Sequence, residues 1–201
     1  MDLAVIGLTF AAIFLVELPD KTFIATLVLS TKFRPLLVWI GVGLAFTVQT
    51  TVAVALGKAA GLLPPDVVHI ASAVLFLIGA VILFREARNA DAEEAHTEEE
   101  YAERAGSDPK SGFKAILASF LVLFAAEWGD LSQLLTLSLV AKYDDPVSVF
   151  IGALGALLAV SALACLLGRV LLNYIKLRTL NYLGGSVCLV LLALTVYELL
   201  A

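Results

Sequence analysis

Charge is scarce in this chain: only 15% of its 201 residues are Asp, Glu, Lys or Arg, while 61% are hydrophobic. A soluble domain carries about 25% charged and about 45–50% apolar residues. The shortage, with a mean hydropathy of +0.98, excludes an extended soluble domain and points to an integral membrane protein. Histidine and cysteine are also rare, two of each. Cys165 and Cys188 lie in apolar runs and read as small packing residues rather than a disulfide or a ligand pair. His69 falls near a membrane edge and His96 in an acidic stretch, so a thiolate or imidazole site selecting Zn²⁺ or Cu⁺ lacks its materials. A formal net charge of −5 argues against a nucleic-acid partner. A basic N-terminal region is missing as well. Asp2 is the only early charge, and Glu17, Asp20 and Lys21 interrupt the first apolar run, so residues 1–30 do not read as a cleavable signal peptide.

What is present is apolar sequence in lengths that cross a bilayer. At about 20 apolar residues per span, the chain accommodates roughly six helices with short loops. Residues 3–30 form a first segment, longer than a straight span needs, which tilt or a break at Pro19 would absorb. Proline there removes the hydrogen bond to the Leu15 carbonyl. Segments follow at about 36–60 and 67–84, then 113–141, 147–168 and 179–200. Between the third and fourth lies a different material, residues 86–111, with nine acids against Arg88, Arg104 and Lys110. It reads as a solvated, flexible acidic linker with a short helix around 91–104.

The halves match. Glu17-Leu18-Pro19-Asp20-Lys21-Thr22 returns as Glu127-Trp128-Gly129-Asp130-Leu131-Ser132, each carboxylate displaced by 110 residues. Val38-Trp39-Ile40-Gly41 answers Val149-Phe150-Ile151-Gly152 at 111, and Glu86 answers Glu198 at 112. Three spans per unit is an odd number, so the second copy enters the membrane from the opposite face. The expected architecture is an all-α integral membrane protein of six transmembrane helices arranged as two inverted three-helix repeats: residues 1–85, the linker 86–111, and residues 112–201. Such repeats bring their sites together near the midplane. Loops after the first, third and fifth segments hold ten basic residues, whereas the opposite side holds Lys58 and Lys142. The positive-inside rule then places the linker in the cytoplasm and both termini outside.

An ionised carboxylate in the bilayer core costs roughly 2.5–3.5 kcal/mol on insertion scales, and this chain puts two pairs at matching depths. On a regular helix Glu17 and Asp20 lie about 60° apart and face one site, as do Glu127 and Asp130. Brought together across a pseudo-two-fold axis, the four acids make an oxygen-rich site for a hard cation such as Ca²⁺, Mg²⁺ or Mn²⁺. Further oxygens are available from Thr22, Ser132, Gln133, Gln49 or the freed carbonyl of Leu15. Thr22 and Ser132 sit about 200° from the aspartates on a regular helix, so they reach the site only if the helix breaks at Pro19 or Gly129. Gln49 is equally suited to an interhelical hydrogen bond. Lys21, one turn after Glu17, can pair with it. A buried ion pair that fixes packing explains those two residues and leaves Asp20, Glu127 and Asp130 without a cationic partner. An exogenous cation, or protons competing with it, fills that gap.

The twin motifs resemble the Glu-x-Gly-Asp-(Lys/Arg)-(Ser/Thr) signature of the group long catalogued as uncharacterised protein family 0016. That group includes the Golgi calcium/manganese transporters of eukaryotes (the transmembrane protein 165 homologues) and bacterial manganese exporters. The resemblance covers the whole chain. It implies a cation/proton exchanger rather than an enzyme, without a resident cofactor, moving Mn²⁺ or Ca²⁺ outward against protons. It implies that Glu17, Asp20, Glu127 and Asp130 carry the cation, with Thr22 and Ser132 accessory. Two positions depart from the signature: Pro19 stands for Gly, and Leu131 for Lys or Arg. The second removes a positive charge beside the site. The expected setting is a bacterial plasma membrane; the expected partners are lipid and divalent cations, with homodimerisation left open. Two other classes compete: an intramembrane aspartyl protease using Asp20 and Asp130, and a divalent cation channel.

Overall fold

The computed structural model describes residues 1–18, 20–105, 112–174 and 177–200. All regular structure among them is helical: α1 Leu3–Glu17, α2 Lys21–Lys32, α3 Pro35–Ala60, α4 Pro65–Ala105, α5 Phe113–Ala126, α6 Leu131–Tyr143, α7 Pro146–Tyr174 and α8 Leu177–Leu200. Proline opens α3, α4 and α7, where its missing N–H has no intrahelical partner to lose and its fixed φ suits the first turn. Asp2 caps α1 by accepting from the Ala4 N–H at 2.8 Å.

Four helices are long and apolar enough to cross a membrane: α3, Asp66–Asn89 of α4, Pro146–Leu166 of α7 and Asn181–Leu200 of α8. The pairs α1/α2 and α5/α6 are each bent by 71° and complete six spans if each pair is one. The chain is thus all-α, with three spans in each half.

The halves interlock rather than sit side by side. Helix α1 packs against α7 and α5 against α3, while α2 meets α7 and α6 meets α3. The closest approaches repeat the same symmetry. A Cβ added at Gly152 of α7 would lie 2.6 Å from the Ile6 carbonyl oxygen and 2.9 Å from Thr9 Cβ on α1. One added at Gly41 of α3 would strike the Ile116 carbonyl oxygen and lie 2.9 Å from Ser119 Cβ on α5. In a bilayer, where lipid is as apolar as the helices, such small-residue contacts supply the dispersion that holds helices together.

Of the two ways to absorb the long first segment, the structure shows a break: α1 ends at Glu17 and α2 begins at Lys21. Pro19, to which the break was ascribed, lies outside the described residues. Residues 86–105, expected as a flexible linker with a short helix around 91–104, are instead helical throughout. Helix α4 continues unbroken for 41 residues, twice the roughly 20 that a span needs. Tyr101 is buried in the apolar cluster, and the Lys32 ammonium donates to the Ala102 carbonyl. A solitary aromatic in an acidic run buys enough apolar burial to dock the stretch. Residues 106–111 of the expected linker lie outside the described residues.

Gly41→Ala and Gly152→Ala should each destabilise the fold by about 1–3 kcal/mol, because each methyl meets a backbone carbonyl that cannot move aside. Fluorescence-detected size exclusion after heating in detergent measures this. Gly7→Ala, with nothing within 4 Å of its added Cβ, should melt like the parent.

Candidate cation site

Both motifs break a helix, with matching hydrogen bonds on either side of the break. At the end of α1 the Leu18 N–H still reaches the Phe14 carbonyl (3.0 Å), after which the Asp20 N–H closes back on the Glu17 carbonyl at 3.1 Å. At the end of α5 the Glu127 N–H reaches Leu123 (3.0 Å), and the Asp130 N–H closes on Glu127 at 3.2 Å. In the second copy the turn passes through Gly129 at φ +83°, a left-handed conformation open to glycine without steric cost. The Gln133 Oε1 accepts from the Gly129 N–H at 3.1 Å, locking the break.

The break decides where the acids point. Glu17 and Glu127 close one helix each, where the last carbonyls stand exposed. Asp20 and Asp130 are the N-caps of α2 and α6, both in extended backbone, yet neither side chain makes a capping hydrogen bond. An N-cap aspartate ordinarily accepts from the N2 or N3 amide. Here both carboxylates turn elsewhere while keeping the favourable positive end of a helix dipole behind them.

They turn toward each other. One oxygen from each of Glu17, Asp20, Glu127 and Asp130 lies within 4.8 Å of the other three. Glu17 and Glu127 are each 1% exposed. Glu17 Oε2, Asp20 Oδ2 and both Glu127 oxygens are buried without a hydrogen-bond partner. Leaving a buried polar group unsatisfied is costly, and more so for a charge. Such a set of orphaned carboxylate oxygens has the chemistry of a hard-cation site.

The accessory positions sort themselves. The Thr22 hydroxyl donates to Glu17 Oε1 at 2.7 Å, which the break permits and a regular helix would not. Ser132 is buried at the corresponding position. Gln133 braces the Gly129 turn and has a buried, unpartnered Nε2. Gln49 donates to the Phe124 carbonyl at 3.0 Å, tying α3 to α5 just before the turn. The Leu15 carbonyl lies against Gly184 of α8, 3.0 Å from where a Cβ there would sit.

On a regular helix Lys21 can pair with Glu17, a reading that leaves Asp130 without a cationic partner. Instead its ammonium lies 3.8 Å from Asp130 Oδ1. Because the chain breaks after Glu17, Lys21 lies in the first turn of α2 rather than one turn beyond Glu17 on a common helix, and it reaches the opposite half. The charge missing at Leu131 is thereby supplied once, from the other repeat. The lack of a lysine at position 131 was the available signal, but only the inverted packing shows who compensates. A second feature the sequence did not disclose is a cavity of about 140 Å³ that joins Asp20 and Asp130 to Glu86 of α4.

Comparison with known proteins agrees with this two-fold construction. The profile of the family described as divalent cation/proton antiporter GDT1 matches twice, over residues 5–91 and 115–201. Among curated relatives, GDT1-like protein 1, chloroplastic, of rice (Oryza sativa subsp. indica) is 30% identical over 98% of this chain and 64% of its own length. Protein PAM71, chloroplastic, of Arabidopsis thaliana is 30% identical over 94% of this chain and 56% of its own. A GDT1-like protein of the cyanobacterium Synechocystis is 30% identical over 84% of this chain and 85% of its own length. The chain therefore spans less than two thirds of the plant relatives. No solved structure matches it. The two matched halves, each carrying one copy of the acidic turn, show that this chain belongs to the GDT1 divalent cation/proton antiporter family.

Proposed function

We propose that the chain is a secondary transporter that exchanges a divalent cation, Mn²⁺ and/or Ca²⁺, for protons through the four-carboxylate cluster. The observation that carries this reading is the convergence of Glu17, Asp20, Glu127 and Asp130 with buried, unpartnered oxygens. One lysine stands against four acids, so a divalent cation or protons must supply the remaining positive charge. A site that satisfies its charge by either route exchanges one for the other. The broken pairs α1/α2 and α5/α6 place the acids on four helix ends, two from each half, so rocking one half against the other would open the cluster to alternate faces.

Residues 1–85 and 112–201 act in this reading as the two inverted halves, joined by 86–111. The excess of basic residues on the linker side supports a cytoplasmic linker and external termini; this reading takes the direction as export and the setting as a bacterial plasma membrane. Homodimerisation is compatible with it and unnecessary to the site. Thr22 and Ser132 tune the glutamates; Gln133, Gln49 and the Leu15 carbonyl support the helix ends rather than supply ligands. Within the intramembrane protease reading, Asp20 and Asp130 are close enough to act together, but two adjacent glutamates and a lysine beside Asp130 have no part in an aspartyl dyad. A channel would share the cluster without needing protons.

Reconstituted protein should take up Mn²⁺ under an imposed pH gradient. Glu127→Gln and Asp20→Asn should each reduce that flux at least about tenfold, since each removes a charge that the buried cation needs. Transport at the parental rate by both variants would sink the assignment, and flux indifferent to the pH gradient would favour a channel.

Binding is separable from transport. Mn²⁺ at about 100 times its Kd should stabilise the protein by about 2.7 kcal/mol. The shift should vanish on chelation and in Glu127→Gln. Lys21→Met should retain it while tightening Mn²⁺ binding, because Asp130 loses its internal competitor; unchanged or weaker binding would show that Lys21 does not compete with the metal.

A further inference from the structure

Helices α3 and α7 come from opposite halves and supply the spans Pro35–Ala60 and Pro146–Leu166. Partway along they touch. The Trp39 indole N–H donates to the Leu158 carbonyl at 3.1 Å, and a Cβ added at Gly43 would lie 2.9 Å from Leu158 Cδ2. Toward the start of α3 they part. A cleft of about 290 Å³ opens between Pro35, Leu36 and Trp39 of α3 and Ala162, Cys165 and Leu166 of α7. Positions 162, 165 and 166 share one face of α7, and the short side chains of Ala162 and Cys165 leave room beside the Trp39 ring. Leu36 and Leu166 are 65% and 75% exposed, so the cleft opens outward from the bundle. It lies between the first residues of one span and the last of the other, at the edge of the hydrocarbon. Lys32, just ahead of it in the chain, donates to the Ala102 carbonyl of α4, so this edge is the linker end.

Arg34 stands at the mouth, one residue before the span begins. It is exposed, occupies the N-cap of α3, and makes no side-chain capping bond. Among the described residues nothing engages its guanidinium. A cation at a helix N-terminus opposes the helix dipole, so helix stability does not explain it. The other half shows what the position does when it serves the helix. Pro35-Leu36-Leu37-Val38-Trp39 corresponds to Pro146-Val147-Ser148-Val149-Phe150 at an offset of 111, which sets Arg34 against Asp145. Asp145 accepts from the Ser148 N–H at 3.1 Å and lies 3.8 Å from the N-terminal ammonium. One end of the repeat thus carries a capping acid, and the other a free cation beside an apolar cleft.

We propose that the α3/α7 cleft binds an anionic phospholipid, with one acyl chain beside Trp39 and the headgroup phosphate on Arg34. The hydrocarbon of the bilayer is what an outward-facing apolar cleft at this depth meets, and close packing against a chain fills it. A guanidinium matches phosphate oxygens in a bidentate fork, and basic residues flanking a span attract anionic lipid. The bound lipid would touch both halves, α3 of the first and α7 of the second. It is independent of which ion the carboxylates hold.

The test uses the full chain carrying Trp128→Phe, which leaves Trp39 as its one tryptophan, in phosphatidylcholine vesicles. A minor share of the lipid is replaced by dibrominated phosphatidylglycerol or by dibrominated phosphatidylcholine, whose bromines quench an indole they touch. Trp39 should be quenched by both, with a preference of about fivefold for phosphatidylglycerol, as one basic residue near an anionic headgroup supplies. Arg34→Gln should abolish the preference and Arg34→Lys should keep most of it. Lys114→Gln, which removes another exposed cation counted on the linker side, should leave it unchanged. Equal quenching by the two lipids overturns the proposal, and so does a preference that survives Arg34→Gln. A loss as large in Lys114→Gln would assign the preference to the general charge of that face and overturn it too. Absence of quenching by either lipid would mean that a second copy of the chain covers the cleft, and likewise refutes the site.

Discussion

Four carboxylates gathered within 4.8 Å inside an apolar bundle repel one another and have surrendered most of their water. Neither half of the chain could hold such a cluster alone, because each half owns only two of the acids. The fold brings them together by crossing its repeats, α1 onto α7 and α5 onto α3, through glycines that let backbones touch. Close packing at Gly41 and Gly152 holds the two halves against each other, and in the proposed reading the crowded carboxylates are what a cation would relieve. Structural stability and ionic affinity work against each other here, and an arriving cation relieves both the Coulombic and the desolvation cost.

The broken helices convert this tension into direction. A continuous helix would point its acids outward from one rod, with its dipole distributed along the span. Breaking after Glu17 and Glu127 places helix C-termini and N-termini at the same spot. The orphaned carboxylate oxygens form a negative centre, while the N-terminal ends of α2 and α6 stabilise the aspartates from behind. Gly129 makes the break by a left-handed residue, locked by Gln133. The same geometry lets Lys21 cross to Asp130, so the cluster is asymmetric in charge.

Asymmetry extends beyond the cluster. The two repeat-related acids Glu86 and Glu198 occupy opposite ends of the bundle, one lining a cavity and the other engaged by Lys142. An exchanger must at any moment expose its site to one face more than the other.

Much of this was legible in the residues alone. Hydrophobic run length determined the membrane class and the six segments, because the thickness of a bilayer dictates span length. The duplicated acids at a constant offset determined the two halves and singled out the four acids that the fold gathers, since charge is too costly in lipid to be placed there twice without use. Local sequence could also foresee that Thr22 needs a broken helix to reach a carboxylate. Only the tertiary structure decided the partners: Lys21 with Asp130 rather than Glu17, Gln49 with the Phe124 carbonyl, Tyr101 with the apolar cluster, and Glu86 with the cavity. Those pairings join residues far apart in the chain. They depend on how two inverted halves interpenetrate, which no local pattern encodes; distances between side chains across a packed interface are a property of the fold.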